Sequence, residues 1–139
     1  MPVCHLTRIV AFTARHRIRR ADWSPEQNAR EFGAAATDHE HRYECRVTVK
    51  GPLAARAPGV MSLGALDALL AAEVTERFDG RHLDDVVSEF ASGRELATGE
   101  ALAVDVWRRL AARLPSGVAL HAVRIQESAA LYAEYFGEP

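Results

Sequence analysis

Residues 3–14 (VCHLTRIVAFTA) are rich in β-branched and aromatic positions, and the alternation around Ile9 and Ala11 predicts a first strand. The period-two pattern returns over 39–50 (HEHRYECRVTVK), placing His39, His41, Tyr43, Cys45 and Val47 on one face of a second strand. Between them, Ser24 can cap a helix, Pro25 suits the first helical position and Gln27 completes a capping box. A short helix is therefore expected to run to about Phe32 and stop at Gly33. Beyond the loop 51–59 (GPLAARAPG) the period becomes helical. Leu63, Leu66, Leu70 and Val74 mark one amphipathic helix; Thr98 caps a second, bearing Ala103, Val106, Trp107, Leu110 and Leu114. The acidic connection around Asp79–Phe90 has room for one short helical turn. Ser116-Gly117 turns the chain into a third strand, 118–126, and 130–136 predicts a fourth.

The order is β, short helix, β, α, α, β, β. It predicts an α+β domain in which a four-stranded antiparallel sheet carries two main helices. One sheet face is then left without an internal cover, so oligomerisation is expected. The length of 139 residues fits a single domain, 1–139, and the 48% hydrophobic content supports a packed core and excludes disorder. Lys plus Arg number 17 against 19 for Asp plus Glu, a balance that argues against a nucleic-acid binder. Arg15, Arg17, Arg19 and Arg20 are a local exception, read either as a solvated loop or as a contact for an anionic substrate group. Cys4 and Cys45 lack CxxC spacing, so no disulfide framework or cysteine zinc knuckle is signalled. No apolar run reaches membrane-spanning length, and Arg8 with the following arginines interrupts any signal-peptide core. The expectation is a cytoplasmic protein with no membrane partner.

His39 and His41, two apart on a strand, project from the same face, and His16 closes the neighbouring strand. On spacing alone the three could be surface or hydrogen-bonded histidines, or three imidazoles of a catalytic zinc site with an open fourth position.

Six segments in order decide between these readings. Phe12-Thr13-Ala14-Arg15-His16 resembles FxAxH. Ser24-Pro25-Glu26-Gln27-Asn28 with Phe32-Gly33 resembles SxExN…FG, and His39-Glu40-His41-Arg42-Tyr43 resembles HGHNY. Phe78-Asp79-Gly80-Arg81-His82-Leu83-Asp84 is similar to LDHxxLN, Ala97-Thr98-Gly99-Glu100 to PTxE, and Val123-Arg124-Ile125-Gln126-Glu127 to VxVxE. These are motifs of the 6-pyruvoyl-tetrahydropterin synthase and 6-carboxy-tetrahydropterin synthase family, and they cover nearly the whole chain. The resemblance implies zinc on His16, His39 and His41. It implies Glu127 gripping the amino-pyrimidine edge of a pterin through two parallel N–H bonds. Thr98 and Glu100 would line the same pocket, although Thr98 is also a helix cap and Glu127 could be a strand-end acid in water. It further implies the tunnelling fold, in which subunits join their sheets into a barrel, trimers stack into hexamers, and active sites lie between subunits.

The chain departs from that pattern where protons move. The family's cysteine base falls on Ala35 and the histidine of its Asp–His pair on Gly80. Neither residue can carry a proton. His82, with Asp79 acting directly or orienting it, is the nearest substitute. Asp38 and Glu40 flank the histidines but alternate away from them, and Cys45 reads as a core thiol. The expected function is a zinc-dependent lyase or cyclase with altered acid–base residues, acting on a small polar heterocycle such as a pterin. The alternatives are a non-catalytic zinc-containing binding or scaffold protein, and a true pterin synthase with a substituted base.

Overall fold

The computed structural model describes all 139 residues. Strands β1 (Val3–His16) and β2 (His39–Pro52) form a long antiparallel ladder in which His16 faces His39 and Ala14 faces His41. The connection holds α1 (Pro25–Phe32) and a 3-10 turn, Gly33–Ala36. Helix α1 starts as its sequence predicts: the Ser24 hydroxyl accepts from the Gln27 N–H (3.1 Å), and the Gln27 side chain accepts from the Ser24 N–H (3.0 Å). Gly33 ends it at φ +60, a conformation favoured by glycine. Buried Asn28 ties α1 to the preceding arginine loop, accepting from the Arg20 N–H and donating to the Arg20 carbonyl.

The first long helix is not uniform. Its α2 (Leu63–Leu70) runs into a π-helical turn (Ala71–Thr75) and then α3 (Glu76–Phe78). The acidic connection holds more than one turn: β3 (Arg81–His82), a 3-10 turn (Leu83–Asp85) and α4 (Ser88–Ala91). Helix α5 (Gly99–Ala111) follows its Thr98 cap, and β4 (Ala119–Ser128) and β5 (Leu131–Tyr135) complete the chain.

The sheet order is β3-β1-β2-β4-β5. It has five strands, not the expected four, because β3 pairs parallel with Ala14 and Arg15 at the edge of β1. Two residues are too few to show a hydrophobic period, so β3 is invisible to pattern reading. No helix is long and apolar enough to cross a membrane.

One sheet face packs on the helices. Phe12 and Ala14 from β1, Tyr43, Cys45, Val47 and Val49 from β2, and Val123 and Ile125 from β4 meet Leu66, Leu70, Leu102, Val106 and Leu110 in one core. Two ion pairs clamp the helices to each other: Glu73 of the π turn with Arg113, and Arg77 with Asp105 at 3.0 Å. The opposite face is open and mixed, with Ile9 and Tyr132 exposed among polar side chains. Thr7 and Thr48 share a hydroxyl bond (2.7 Å), and Arg124 pairs with Glu134 (3.3 Å) while lying over Tyr132. Free strand edges add to what this face offers for association. The edge of β1 is paired with β3 only at Ala14 and Arg15, and β5 has a neighbour only in β4.

The C-terminal tail closes over α5 at Gly137. A Cβ there would stand 2.4 Å from Trp107 Cζ2, and the residue sits at φ +81. Gly137→Ala is expected to destabilise the fold by about 1–3 kcal/mol. Urea denaturation of the two proteins checks this; an unchanged midpoint would show that the tail is not held against Trp107.

Candidate functional site

The last residue of β1 and the first turn of β2 bring three imidazoles together. Ring centroids are 4.4 Å apart for His16 and His39, 5.1 Å for His16 and His41, and 4.8 Å for His39 and His41. One ligand atom from each lies within 4.8 Å of the others. The hydrogen bonds fix which nitrogens are free. His16 Nδ1 is 2.7 Å from the Ala97 carbonyl and His39 Nδ1 is 2.7 Å from the Thr37 carbonyl. A carbonyl only accepts, so each Nδ1 carries the hydrogen and each Nε2 keeps its lone pair. His16 Nε2 is buried and has no hydrogen-bond partner. An orphaned buried nitrogen aimed at two further imidazoles fits a metal ion, with the backbone carbonyls setting ring orientation.

Electrostatics support the same state. Burial pushes His16 down to about 4, and burial together with His39 lowers His41. Both are neutral at pH 7, as ligation requires. Because His16 titrates near 6.5 when unfolded, the unfolded chain takes up the proton first on acidification. Stability of the metal-free protein is therefore expected to hold above pH 6.5 and to fall between 6.5 and about 4. Thermal melts across that window check it, and a flat profile would contradict the burial of a neutral His16.

Glu127, near the end of β4, sits beside the start of α5. Its Oε1 would stand in ordinary contact, 3.4 Å, with a Cβ on Gly99, which places the carboxylate against the first residue of α5. Burial and then Glu100 raise its pKa, while His39 acts the other way. Thr98 caps α5, its hydroxyl accepting from the Ala101 N–H at 3.2 Å. Thr98, Glu100 and Glu127 are thus brought together with the triad. Tyr43, edge-on to His16 and His41, has a buried hydroxyl with no partner. Burial and the nearby Glu127 raise its pKa. Cys45 lies fully buried in the core, its thiol pushed up to about 12, as expected of a core thiol.

The acid–base candidates are arranged differently from the expectation. Asp79 does not orient His82: its Oδ1 accepts from the Thr13 N–H at 2.9 Å, capping the free edge of β1. The partner of His82 is Asp38, with Nε2 2.9 Å from Oδ1. His82 Nδ1 accepts from the Asp84 N–H (3.1 Å), so the ring hydrogen is on Nε2 and is donated to Asp38. Both nitrogens of His82 are therefore occupied, and the free oxygen belongs to Asp38. Asp38 lines a cleft of about 360 Å³ with Arg17, Arg19, Trp23, Asn28 and Thr37, a size suited to a small ligand. Its pKa is lowered, by His82 first and then by Arg17 and Arg15. Register sets His82 beside Arg15, whose alternation turns it to the face opposite His16. The pair and the triad share one end of the sheet, close enough that His82 adds to the lowering of the His16 pKa after burial and the other two imidazoles. Gly80 leaves open space where a side chain would stand, with nothing within 4 Å of an ideal Cβ.

A family model described as 6-pyruvoyl tetrahydropterin synthase matches residues 5–138. The 6-pyruvoyl tetrahydrobiopterin synthase of Drosophila melanogaster is 31% identical over 138 residues, covering 98% of this chain and 81% of that one. The Homo sapiens protein of the same name is 32% identical over 135 residues, covering 96% and 91%. The structure of Caenorhabditis elegans 6-pyruvoyl tetrahydropterin synthase superposes with a TM-score of 0.87 at 26% identity, covering 99% of this chain and 98% of that one.

Proposed function

The chain belongs to the 6-pyruvoyl tetrahydropterin synthase family, and on that premise we propose that it is a zinc-dependent lyase or cyclase acting on a pterin or pterin-like heterocycle. The observation that carries the reading is the buried, unpartnered Nε2 of His16 facing His39 and His41. Zinc held by these three residues would polarise a carbonyl or hydroxyl oxygen of the ligand as a Lewis acid.

The chain's own residues supply the rest. Glu127 accepts two parallel N–H bonds from an amino-pyrimidine edge, and the N-terminus of α5 supports its charge. Thr98 keeps its hydroxyl hydrogen free for the ligand, since the cap uses only the oxygen as acceptor. Glu100 adds negative charge that favours a ligand rich in N–H donors. The proton-transfer role expected of His82 and Asp79 passes to the pair Asp38–His82, in which Asp38 takes the proton and His82 positions it. Asp79 serves the edge of β1. Arg17 and Arg19, lining the same cleft as Asp38, suit an anionic group on the ligand. Active sites between subunits are what the family's tunnelling fold implies, so a complete site would draw on neighbouring copies. Pairing of free β1 and β5 edges around a ring of three, doubled to six, would provide this. No segment of the chain calls for a membrane or nucleic-acid partner, and a cytoplasmic setting suits the reading.

Titration of the zinc-loaded protein with a pterin, followed by calorimetry, tests the proposal. Glu127→Gln is expected to weaken binding about 10–150-fold, the worth of a hydrogen bond to a charged group, with zinc content unchanged. It should also raise the melting temperature of the ligand-free protein. A carboxyl whose pKa is raised by folding costs stability once pH exceeds its unfolded value, and Gln removes that cost. Equal pterin affinity in both proteins would sink the Glu127 assignment. The second reading, a zinc-containing binding protein without turnover, is favoured by the empty space at Gly80 and the saturated His82. Tight pterin binding with no product from any pterin substrate would establish it.

A further inference from the structure

A second pair of histidines lies on the open face, away from the triad. His5 of β1 and His121 of β4 stand with ring centroids 4.4 Å apart and planes at 68°. This is nearly the relation of His16 to His39 (4.4 Å, 63°) inside the triad. The two strands are not neighbours, since β2 runs between them. A β-bulge makes the approach possible. Thr48 pairs with Ala122 and Val49 with Leu120, so His121 is the extra residue with no partner on β2. Bulges re-aim side chains, and this one brings His121 to His5 over the intervening strand. Neither ring makes a hydrogen bond within the chain, whereas His16, His39 and His82 are each tied by one or two. Two imidazoles in ring contact, with nitrogens free of partners within the chain, have the donors a two-point chelate needs.

We infer that His5 and His121 form a second metal site, a two-imidazole chelate for a late transition-metal ion of the nickel, copper or zinc type, completed by water. It does not depend on the zinc reading of the triad. No carboxylate is needed, because neutral imidazole nitrogens are themselves good donors to these metals. Lys50, the chain's only lysine, faces His5 in register. Its ammonium opposes a bound cation, but its long stem lets it swing aside.

The test uses the full chain, as purified and after zinc loading, equilibrated with excess nickel and freed of unbound metal by gel filtration. Metal per chain is then counted by mass spectrometry. Wild type is expected to hold one equivalent more than His121→Gln and one more than His5→Gln, whatever the triad holds. Both variants alter exposed or half-exposed positions, and circular dichroism verifies that each is folded. Lys50→Gln should keep or tighten the extra equivalent. Equal counts in wild type and both histidine variants would overturn the inference. So would loss of the extra metal in Lys50→Gln, which would mean that an anion bound to the lysine carries it.

Discussion

In a His121→Gln background, where only the triad holds metal, His39→Ala is expected to reduce bound zinc from about one per chain to near zero and to lower turnover by about 10³-fold. That is the several kcal/mol a Lewis acid contributes to a developing oxyanion. His39 is the informative member of the triad. His16 is buried, and its Nδ1–H satisfies the Ala97 carbonyl, so His16→Ala would leave both a cavity and an orphaned carbonyl. His39 is only half-buried, and the Thr37 carbonyl it serves is at the start of an exposed strand end. Its loss should therefore separate metal from fold. Metal content, turnover and the melting temperature of the metal-free protein are measured together. Retained zinc in His39→Ala would remove the triad from the mechanism, and a collapse in melting temperature without metal would make its role structural.

The second large effect is expected at Asp38. Asn can still accept the hydrogen of His82 Nε2 but cannot take a proton, so Asp38→Asn isolates the charge from the geometry. Turnover should fall 10²–10⁴-fold, the usual worth of a positioned acid or base, with zinc content and pterin affinity unchanged. His82→Gln should cost less and show in kcat rather than KM, as befits a residue that only holds Asp38 in place. Mixed oligomers sharpen the test. If one site takes Asp38 from one chain and Glu127 from another, co-refolded Asp38→Asn and Glu127→Gln chains should regain turnover that neither shows alone. Without recovery, Asp38 and Glu127 would belong to one chain or to different events. An Asp38→Asn protein with full activity would return the proton to another group.

The triad was legible because a strand's period is two: His39 and His41 had to share a face, and a third histidine at a neighbouring strand end could meet them. The cap of α1, the cap of α5 and the burial of Cys45 were legible for similar local reasons. What escaped was non-local or made of backbone. The partner of His82 lies 44 residues away, across a strand too short to carry a pattern. Alternation reads Asp38 as turned from His39, but it precedes the first residue of β2, where no strand period applies. The connecting segment instead brings its Oδ1 to His82 Nε2. The carbonyls of Ala97 and Thr37, which fix the imidazole tautomers, have no sequence signature at all.

One three-residue stretch touches both the triad and Glu127. The Ala97 carbonyl holds His16, Thr98 caps α5, and Gly99 lies against the Glu127 carboxylate. His16 is bonded to this stretch and α5 starts from it, so the interval between the imidazoles and the carboxylate is set by packed structure and not by a free loop. On the proposed zinc and Glu127 roles, the protein would select its ligand by span. A heterocycle whose donor edge and coordinating oxygen match that interval engages both ends at once. One lengthened by a single bond between them must release one end to keep the other, and loses the advantage of being held twice.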